Sequence, residues 1–308
     1  MVDVDTFLTE LYVMVDDFCK AEFAPARPLG HPVSLSQSEV VTLTRFGTWF
    51  RFRTRSDFWR WARRHLTGAF PTLPDRSQFN RRQRTHQEAI TAFFCFTRHQ
   101  ASGGTSDDEA LDGFGVRVRN AKRRGSGWLA GQADIGWSNR LGWDEGVHVL
   151  TAVTPTGVLT GVGVAPASTK DQPYAESFLA ARYTGESRVA EVGEATSDLA
   201  LADKGFDGKE RQRHWLAADG VTVAAPPTRA SASPWPASLR RWQAGLRQIV
   251  ETVHNCLLDF FSLDRERPHP MDAFRTRLVV RAALHNFRIC LNQKLGHPNL
   301  AFANLIDW

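Results

Sequence analysis

Hydrophobic residues recur at helical spacing through the first third of the chain. Residues 3–23 and 36–50 both carry this pattern, and the second segment begins with Ser36 followed three positions later by Glu39, the spacing of a capping box. Further along, SDFWRWARRHL is amphipathic, and the segment FPTLPDRSQFNRRQRTHQEAITAFFCF starts as a proline-bounded turn and continues as a long helix. The first third is therefore predicted to be all-helical.

The pattern changes after the Gly/Ser-rich stretch at residues 101–109. ALDGFGVRV, VHVLTAV and VLTGVGVAP predict three strands, with a Pro-Thr-Gly hairpin turn between the last two. The later elements are a helix at about 172–182, strand TSDLALAD, helix ERQRHWLAA, strand VTVAAPP, and helices at about 239–261 and 271–292. We place a domain boundary at the Gly/Ser-rich stretch, which gives a helical domain at 1–104 and a mixed domain at 105–308.

Three meandering strands followed by alternating helices and strands predict an α/β fold in which helices flank a mixed sheet. The element order βββ-α-β-α-β-α is the one found in the RNase H-like fold. The first and fourth strands are neighbours in that sheet. The predicted architecture is thus an RNase H-like mixed sheet flanked by helices, preceded by an all-helical N-terminal domain.

Two aspartates occupy matching places in this scheme. Asp112 lies inside the first strand, where an acid needs a cationic partner to offset the cost of burial. Asp203 directly follows the apolar run 199–202, at the carboxyl end of the fourth strand, where open α/β sheets place ligands. We expect the two side chains to face each other across the two strands.

A third acid, Glu251, lies in the middle of a predicted helix. Arg247, Glu251, His254 and Asn255 fall at i−4, i, i+3 and i+4, so we expect them to share one side of the helix and to point into a single site. Taken alone, a surface ion pair between Arg247 and Glu251 is the simpler explanation.

Asp112, Asp203 and Glu251 together suit a site for two Mg²⁺ or Mn²⁺ ions, which prefer carboxylate oxygen. Two such ions activate an attacking water or 3′-hydroxyl and stabilise the leaving oxygen of a phosphodiester. This chemistry needs no nucleophilic side chain, and the sequence contains no nucleophile elbow, P-loop or H-E-x-x-H helix.

Five segments in order, LDGFGVRVRNAKRR, GWDEGVHV, APASTKDQ, LADKGFDG and RQIVETVHNCL, resemble the catalytic blocks of bacterial insertion-sequence DDE transposases. Upstream, LSQSEVVTLT and FPTLPDRSQFNRR resemble the helical N-terminal region of the same group. The resemblance covers nearly the whole chain and includes an Arg four residues before the helical Glu.

The resemblance implies that Asp112 and Asp203 bind two Mg²⁺ or Mn²⁺ ions, that Glu251 is the third ligand and a proton acceptor, and that Arg247 contacts phosphate. It also implies a basic loop at residues 119–124 near the cut strand, which the sequence alone explains equally well as a solvated loop. The DNA-contacting residues expected are Arg81, Arg82, Arg84, Lys122, Arg123, Arg124, Lys204 and Arg247. This chain departs from the family in having Leu257-Leu258-Asp259 where a basic residue is common.

The function implied is DNA transposition: binding of terminal inverted repeats in double-stranded DNA, cleavage there, and transfer of the freed 3′-hydroxyl to target DNA. A homodimer is expected because two element ends must be paired. Two other interpretations stay open, a metal-dependent nuclease of the same fold and a DNA-binding protein derived from a transposase that no longer cuts.

The net charge of +5 and a pI near 9.3, with Arg far in excess of Lys, favour a polyanionic partner. A high genomic GC content explains the Arg excess equally well. The arginines at positions 60, 63 and 64 form either a DNA-facing side of their helix or an ordinary solvated face. Acidic residues near the N-terminus and the lack of an apolar run of about 20 residues predict a cytoplasmic, nucleoid-associated protein without a membrane span.

Several other polar and aromatic residues are predicted to have structural rather than functional roles. Trp137 and Trp143 are placed in a polar loop, where core packing is favoured over stacking on an unpaired base. Four other aspartates need no metal to explain them, and two histidines and four cysteines are assigned to structure, the cysteines as buried reduced thiols: Asp134, Asp144, Asp171, Asp207, His148, His285, Cys19, Cys95, Cys256 and Cys290.

Overall fold

The structure of the chain is a computed structural model that describes residues 1–23, 34–49, 52, 54–120, 128–138, 140–183, 193, 195–227, 235–265, 270–302 and 305–307. The N-terminal third is helical except for a two-residue strand. Its elements are β1 Val2–Asp3, α1 Val4–Glu22, α2 Gln37–Phe46, α3 Arg55–His65, α4 Arg76–Thr85 and α5 Gln87–Ser102.

Side-chain caps fix where these helices begin. At α2, the Ser36 hydroxyl oxygen accepts from the Glu39 N–H at 3.2 Å, and the Glu39 carboxylate accepts from the Ser36 N–H at 2.6 Å, which confirms the capping box. Asp75 caps α4 by accepting from the Gln78 N–H at 2.8 Å. At the other end of α5, Gly103 adopts the left-handed conformation that glycine tolerates best.

The rest of the chain has the predicted strands and helices in the predicted order and two further strands, one at residues 134–138 and one at residues 306–307 that pairs with β1. The elements are β2 Glu109–Asn120, β3 Asp134–Ser138, β4 Gly142–Val153, β5 Leu159–Pro166, α6 Asp171–Tyr183, β6 Leu199–Ala202, α7 Lys209–Asp219, β7 Thr222–Ala224, α8 Ala237–Asn255, α9 Met271–Lys294 and β8 Ile306–Asp307. A π-helical turn at Cys256–Phe260 follows α8, so the helix expected at 239–261 changes its period near its end.

The main sheet has the predicted RNase H-like order. One edge of β4 pairs antiparallel with β2, and its other edge pairs antiparallel with β3 and then β5. Beyond β2 come β6 and β7, both parallel to their neighbours. Residues of α6 and α7 pack on one face, whereas α8, α9 and the N-terminal helices cover the other.

The segment containing Trp137 and Trp143 is a strand pair, so its placement in a loop was wrong. Trp137 in β3 pairs with Trp143 in β4 across a tight turn that Gly142 closes with a positive φ of 72°. The two rings, 5.7 Å apart, are 60% and 64% exposed, which contradicts the expected core packing. Aromatic residues favour strands through cross-strand contact, and here that contact is satisfied on the solvent side.

Asp134 and Asp144 also lie in these strands rather than in loops. The Asp134 carboxylate accepts from the Ser168 N–H at 2.8 Å, and Asp144 pairs with Arg117 at 2.7 Å. Both acids therefore have protein partners that explain them without a metal.

The N-terminal helices and the sheet share one continuous hydrophobic core. Helix α9 lies at its centre, and Phe287 of α9 contacts Phe7 of α1 with ring centroids 5.3 Å apart. The Asn286 side chain accepts from the Leu159 N–H at 3.0 Å and donates to the Leu159 carbonyl at 2.8 Å, which ties α9 to β5. The boundary between residues 104 and 105 stays a prediction, because residues from both sides enter this core.

The structural role of His285 is confirmed, since its ring is fully buried and its Nε2 lies 2.9 Å from the Gly157 carbonyl oxygen. None of the four cysteines, all of which lie in the described residues, forms a disulfide; Cys19 and Cys256 are buried, whereas Cys95 and Cys290 are only half-buried. Within the described ranges, no helix combines the length and the apolar character needed to cross a bilayer.

A buried ion pair fixes the start of β2. Glu109 lies 2.6 Å from Arg182 at the end of α6, and both side chains are at most 3% exposed. The other Glu109 oxygen accepts from the N–H and hydroxyl of Thr196, at 2.9 and 2.5 Å. These contacts join three segments at the start of the strand that carries Asp112.

We expect Glu109→Ala to lower the free energy of unfolding by about 3–5 kcal/mol, because it leaves the Arg182 charge buried without its partner. Glu176→Ala is the matched control: its partner Arg211 lies 3.3 Å away, both side chains are over 40% exposed, and a loss of about 0–1 kcal/mol is expected. Urea unfolding of both variants measures the difference, and equal losses would contradict the structural role of the buried pair.

Candidate active site

The two aspartates meet where β2 and β6 stop pairing. Leu111 lies opposite Ala202 in the parallel register, so Asp112 and Asp203 are the next pair in line. The Asp112 carboxylate accepts from the Gly113 N–H at 2.9 Å, and the Asp203 carboxylate accepts from the Gly205 N–H at 2.6 Å. The strand register therefore places the two aspartates next to each other, as expected.

Helix α8 forms one wall of a small crevice at this point. Asp112, Asp203, Gln243 and Arg247 all line it, together with apolar residues of β2, β6 and α8. Gln243 donates to the Ala202 carbonyl at 2.8 Å, which fixes the helix next to the end of β6. Arg247, one turn further along α8, brings a cation to the two acids.

The electrostatics of Asp112 reflect this arrangement. Burial is the main cause that raises the pKa of its carboxyl to about 6; the nearby Asp203 also raises this pKa, while the Gly113 N–H and Arg247 lower it. Two carboxylates in a poorly solvated crevice favour a cation between them.

A third aspartate lies beside this pair. A Cβ added at Gly205 would meet Asp203 Oδ1 at 2.8 Å and Asp171 Oδ2 at 3.2 Å, so the two carboxylates flank the same glycine. Burial raises the pKa of Asp171, His148 lowers it and Asp203 raises it. Sequence reasoning assigned no role to Asp171 here; its place in the APASTKDQ block was the available signal.

His148 is held between Asp171 and the backbone. Its Nε2 lies 3.5 Å from Asp171 Oδ1, and its Nδ1 lies 3.2 Å from the Thr169 carbonyl oxygen. A side chain at Gly113 would meet the ring at 2.2 Å, so glycine next to Asp112 makes room for this histidine. The histidine that the sequence assigned to structure therefore borders the acidic site.

Glu251 lies apart from the two aspartates. Its carboxylate is 61% exposed and 3.9 Å from Arg247, the surface ion pair that the sequence also allowed. Glu251 is not among the residues that line the crevice. The structure thus brings Asp112, Asp203 and Arg247 together, with Glu251 one helical turn away from Arg247.

His254 does not share the exposed side of α8 with Glu251, so that part of the stripe prediction was wrong. It is buried, with Nε2 2.8 Å from the Thr151 hydroxyl and its ring 4.4 Å from that of Phe114. Burial lowers its pKa to about 3, so the ring is neutral. His254 comes three residues after Glu251, which is about 60° less than a full helical turn. This angular difference places His254 on the side of α8 that faces the core.

Residues 109–287 match the family described as the transposase DDE domain, and this segment exceeds half of the chain. The chain belongs to this transposase family. Its matched segment contains Asp112, Asp203, Arg247 and Glu251.

Among curated proteins, none matches this transposase. Solved structures similar to it include the Mos1 transposase paired-end complex with left transposon end, at 12% identity and a TM-score of 0.23, covering 82% of this chain and 86% of that one. A pre-cleavage Mos1 transpososome matches at 12% identity and a TM-score of 0.22, over 90% and 84% of the two chains.

The basic residues expected to contact DNA fall into separate places. Arg81 and Arg84 are exposed on α4, Arg82 is half-buried there, and Lys204 is exposed directly after Asp203. Lys122, Arg123 and Arg124 lie outside the described residues. Arg119 belongs to β2 rather than to a loop, and its side chain pairs with Glu145 at 3.3 Å.

The lack of a basic residue at positions 257 and 258 has a structural reason. Leu257 and Leu258 belong to the π-helical turn and are buried in the core. A charged side chain at either position would lose its hydration without a partner.

The donor chemistry of Asp112 and Asp203 fits a hard divalent cation, because both supply carboxylate oxygens and the charge of Asp203 makes ionisation of Asp112 more costly. Over the described parts of the chain, no group of three or more His, Cys, Asp or Glu side chains is gathered closely enough to hold a metal ion. Two of the three expected ligands, Asp112 and Asp203, are therefore adjacent in this arrangement, and the third expected ligand, Glu251, is not.

We expect Asp112→Asn to raise the free energy of unfolding of the metal-free transposase above about pH 6, by about 2–3 kcal/mol. The folded pKa of about 6 exceeds the ordinary value of 3.8, so the cost of ionising buried Asp112 is absent below the lower value and complete above the upper one. Denaturant unfolding in EDTA across this window measures it. A difference between the two proteins that does not change with pH would contradict the burial of the Asp112 charge.

Proposed function

We propose that this transposase binds the ends of its element in double-stranded DNA, cleaves them, and joins the freed 3′-hydroxyl to target DNA. The observation that carries the proposal is the adjacency of Asp112 and Asp203 at the end of the β2–β6 pairing, inside the segment that matches the family. The chain's resemblance to bacterial insertion-sequence enzymes further supports it.

In this proposal, Asp112 and Asp203 hold two Mg²⁺ or Mn²⁺ ions, and Glu251 is the third ligand and proton acceptor. When bound, such ions activate the attacking oxygen and stabilise the leaving oxygen of the phosphodiester. Asp112 must be ionised to bind a cation, and Arg247 favours that ionised form.

Arg247 links Glu251 to the aspartates. It interacts electrostatically with Asp112 and lies 3.9 Å from Glu251. A DNA phosphate bound at Arg247 would compete with the Glu251 carboxylate for the guanidinium, since arginine binds both groups through the same donors. We propose that substrate binding frees Glu251 in this way to join the metal site.

The exposed cations contribute to DNA binding in this proposal. Lys204 follows Asp203 directly, and Arg81, Arg82 and Arg84 lie on α4. With Lys122, Arg123, Arg124 and Arg247, they would contact phosphates, so binding should weaken steeply with salt. Pairing of two ends would require a homodimer, and a DNA substrate implies association with the nucleoid.

The position of Glu251 away from the two aspartates favours a second candidate, a DNA-binding protein derived from a transposase that does not cut. A nuclease without strand transfer would use the same acids as the transposase. Transfer of a labelled oligonucleotide with a free 3′-end separates these two enzymes.

We expect the wild type to nick a supercoiled plasmid bearing the element's ends in the presence of Mg²⁺. Asp203→Asn and Asp112→Asn should each reduce nicking by more than about 100-fold, beyond the 10–100-fold loss typical of residues that only support metal ligands. Asp134→Asn is the matched control, because Asp134 bonds to Ser168 instead of lining the crevice, and it should nick like the wild type.

Two outcomes would overturn the proposal. If the Asp203→Asn variant still nicks, a metal site built on the two aspartates is excluded. If wild type and variants all bind the DNA equally and none cuts, the non-cutting DNA-binding protein takes the place of the enzyme.

A further inference from the structure

A large groove lies between the N-terminal helices and α9. It encloses about 710 Å³ and is formed by α2, α3, α4, the start of α5, residues 47–49, 52 and 54, the 3₁₀ turn at Leu263–Arg265 and the first half of α9. It shares no lining residue with the crevice of Asp112 and Asp203. The groove is therefore a separate candidate for ligand binding.

Arginine dominates the groove's charged residues. Six of the described arginines line it, of which Arg281 is buried and Arg277 is half-buried. Arg277 and the four exposed arginines are here called the arginine rim: Arg55, Arg76, Arg84, Arg265 and Arg277. Asp272 is the one carboxylate among the described lining residues, and it lies 3.2 Å from Arg275. This balance of charge favours an anionic ligand that several guanidinium groups can contact.

Two of the rim arginines rest on neutral groups. Arg76 donates to the Ser56 hydroxyl, and Arg55 lies 3.4 Å from the Gln83 amide oxygen. A serine hydroxyl or an amide orients a guanidinium without removing its net charge. These two contacts therefore orient Arg55 and Arg76 at the edge of the groove.

Aromatic rings form the apolar part of the groove, here called the aromatic floor: Trp49, Phe52, Phe58, Trp59 and Phe79. Trp59 and Phe79 are stacked with centroids 4.5 Å apart, and Phe52 is half-buried whereas the other four are buried. Asn80 and Gln83 add amide groups between floor and rim. A matching ligand has a flat apolar body, hydrogen-bonding edges and a negatively charged periphery.

We propose that this groove binds one or two unpaired nucleotides of a DNA strand, with a base against Phe52, the half-buried ring of the aromatic floor, and the phosphates on the arginine rim. The inference rests on the proposed function in taking DNA as the substrate. A volume of about 710 Å³ lies in the range of roughly 300–1,000 Å³ typical of small-ligand sites, which suits nucleotides rather than a duplex. Stacking and phosphate contact are the two ways proteins hold single strands.

The groove divides the arginines of α4. Arg84 and Arg76 line it, whereas Arg81 and Arg82 do not. The proposal therefore assigns Arg76 and Arg84 to the unpaired strand, a distinction that the sequence did not make.

The test measures binding of a labelled single-stranded oligodeoxynucleotide and of the same sequence as a blunt duplex, by fluorescence anisotropy over a range of NaCl concentrations. The double variant Arg76→Gln/Arg84→Gln should weaken single-strand binding and reduce the salt slope by about 1.4, since each phosphate contact on a single strand contributes about 0.7. The control Lys209→Gln/Arg213→Gln removes two exposed charges from α7, outside the groove, and should leave the slope unchanged.

Phe52→Ala tests the aromatic floor separately. It should weaken single-strand binding by about fivefold or more without changing the salt slope, because stacking releases no counterions. Thermal unfolding of each variant checks that it remains folded.

Equal losses in the two charge variants, a loss confined to the duplex, or unchanged single-strand binding in both Arg76→Gln/Arg84→Gln and Phe52→Ala would each overturn the proposal. The plasmid-nicking test is independent of these outcomes. If Asp203→Asn still nicks while the groove variants show the expected binding pattern, the metal-site proposal fails and the groove proposal holds. If Asp203→Asn loses nicking as expected but the groove variants bind single strands like the wild type, the groove proposal fails and the metal-site proposal holds.

Discussion

The parallel pairing of β2 with β6 is the constraint on which the candidate site depends. Its register sets Leu111 opposite Ala202, and the next residue on each strand is an aspartate. The two acids are therefore adjacent because of backbone hydrogen bonds, whatever their own electrostatic preference. The cost appears in Asp112, whose pKa rises to about 6 through burial and the neighbouring Asp203. The buried Glu109–Arg182 pair, three residues before Asp112, stabilises the start of the same strand.

Most of the fold follows from the sequence because its signals are local or strongly periodic. The capping box at Ser36 and the alternation of strands and helices after residue 109 both predicted the elements that form. The β3–β4 hairpin was missed because its tryptophans face solvent, so the alternation of buried and exposed residues that marks a strand is weak there. The π-helical turn after α8 could not be predicted from the spacing of hydrophobic residues. It becomes visible only in the packing of Leu257 and Leu258 in the core.

The candidate site was predictable where it depends on strand order and not where it depends on side-chain direction. Asp112 and Asp203 could be placed together from the element order alone. Asp171 comes from the start of α6 and His148 from the middle of strand β4, and their contact requires the space left by Gly113 and Gly205. The helical spacing of Arg247 and Glu251 was correct, yet spacing cannot decide whether Glu251 points to the aspartates or pairs with Arg247 at the surface.

The central claim is that Asp112 and Asp203 together bind a divalent metal ion. Crystals of the transposase with duplex DNA from an element end, grown with Mn²⁺, test this most directly through anomalous scattering. The account predicts a manganese peak between the carboxylates of Asp112 and Asp203. Ordered DNA beside the crevice with manganese bound at other residues, or with no manganese peak there at saturating Mn²⁺, would contradict it.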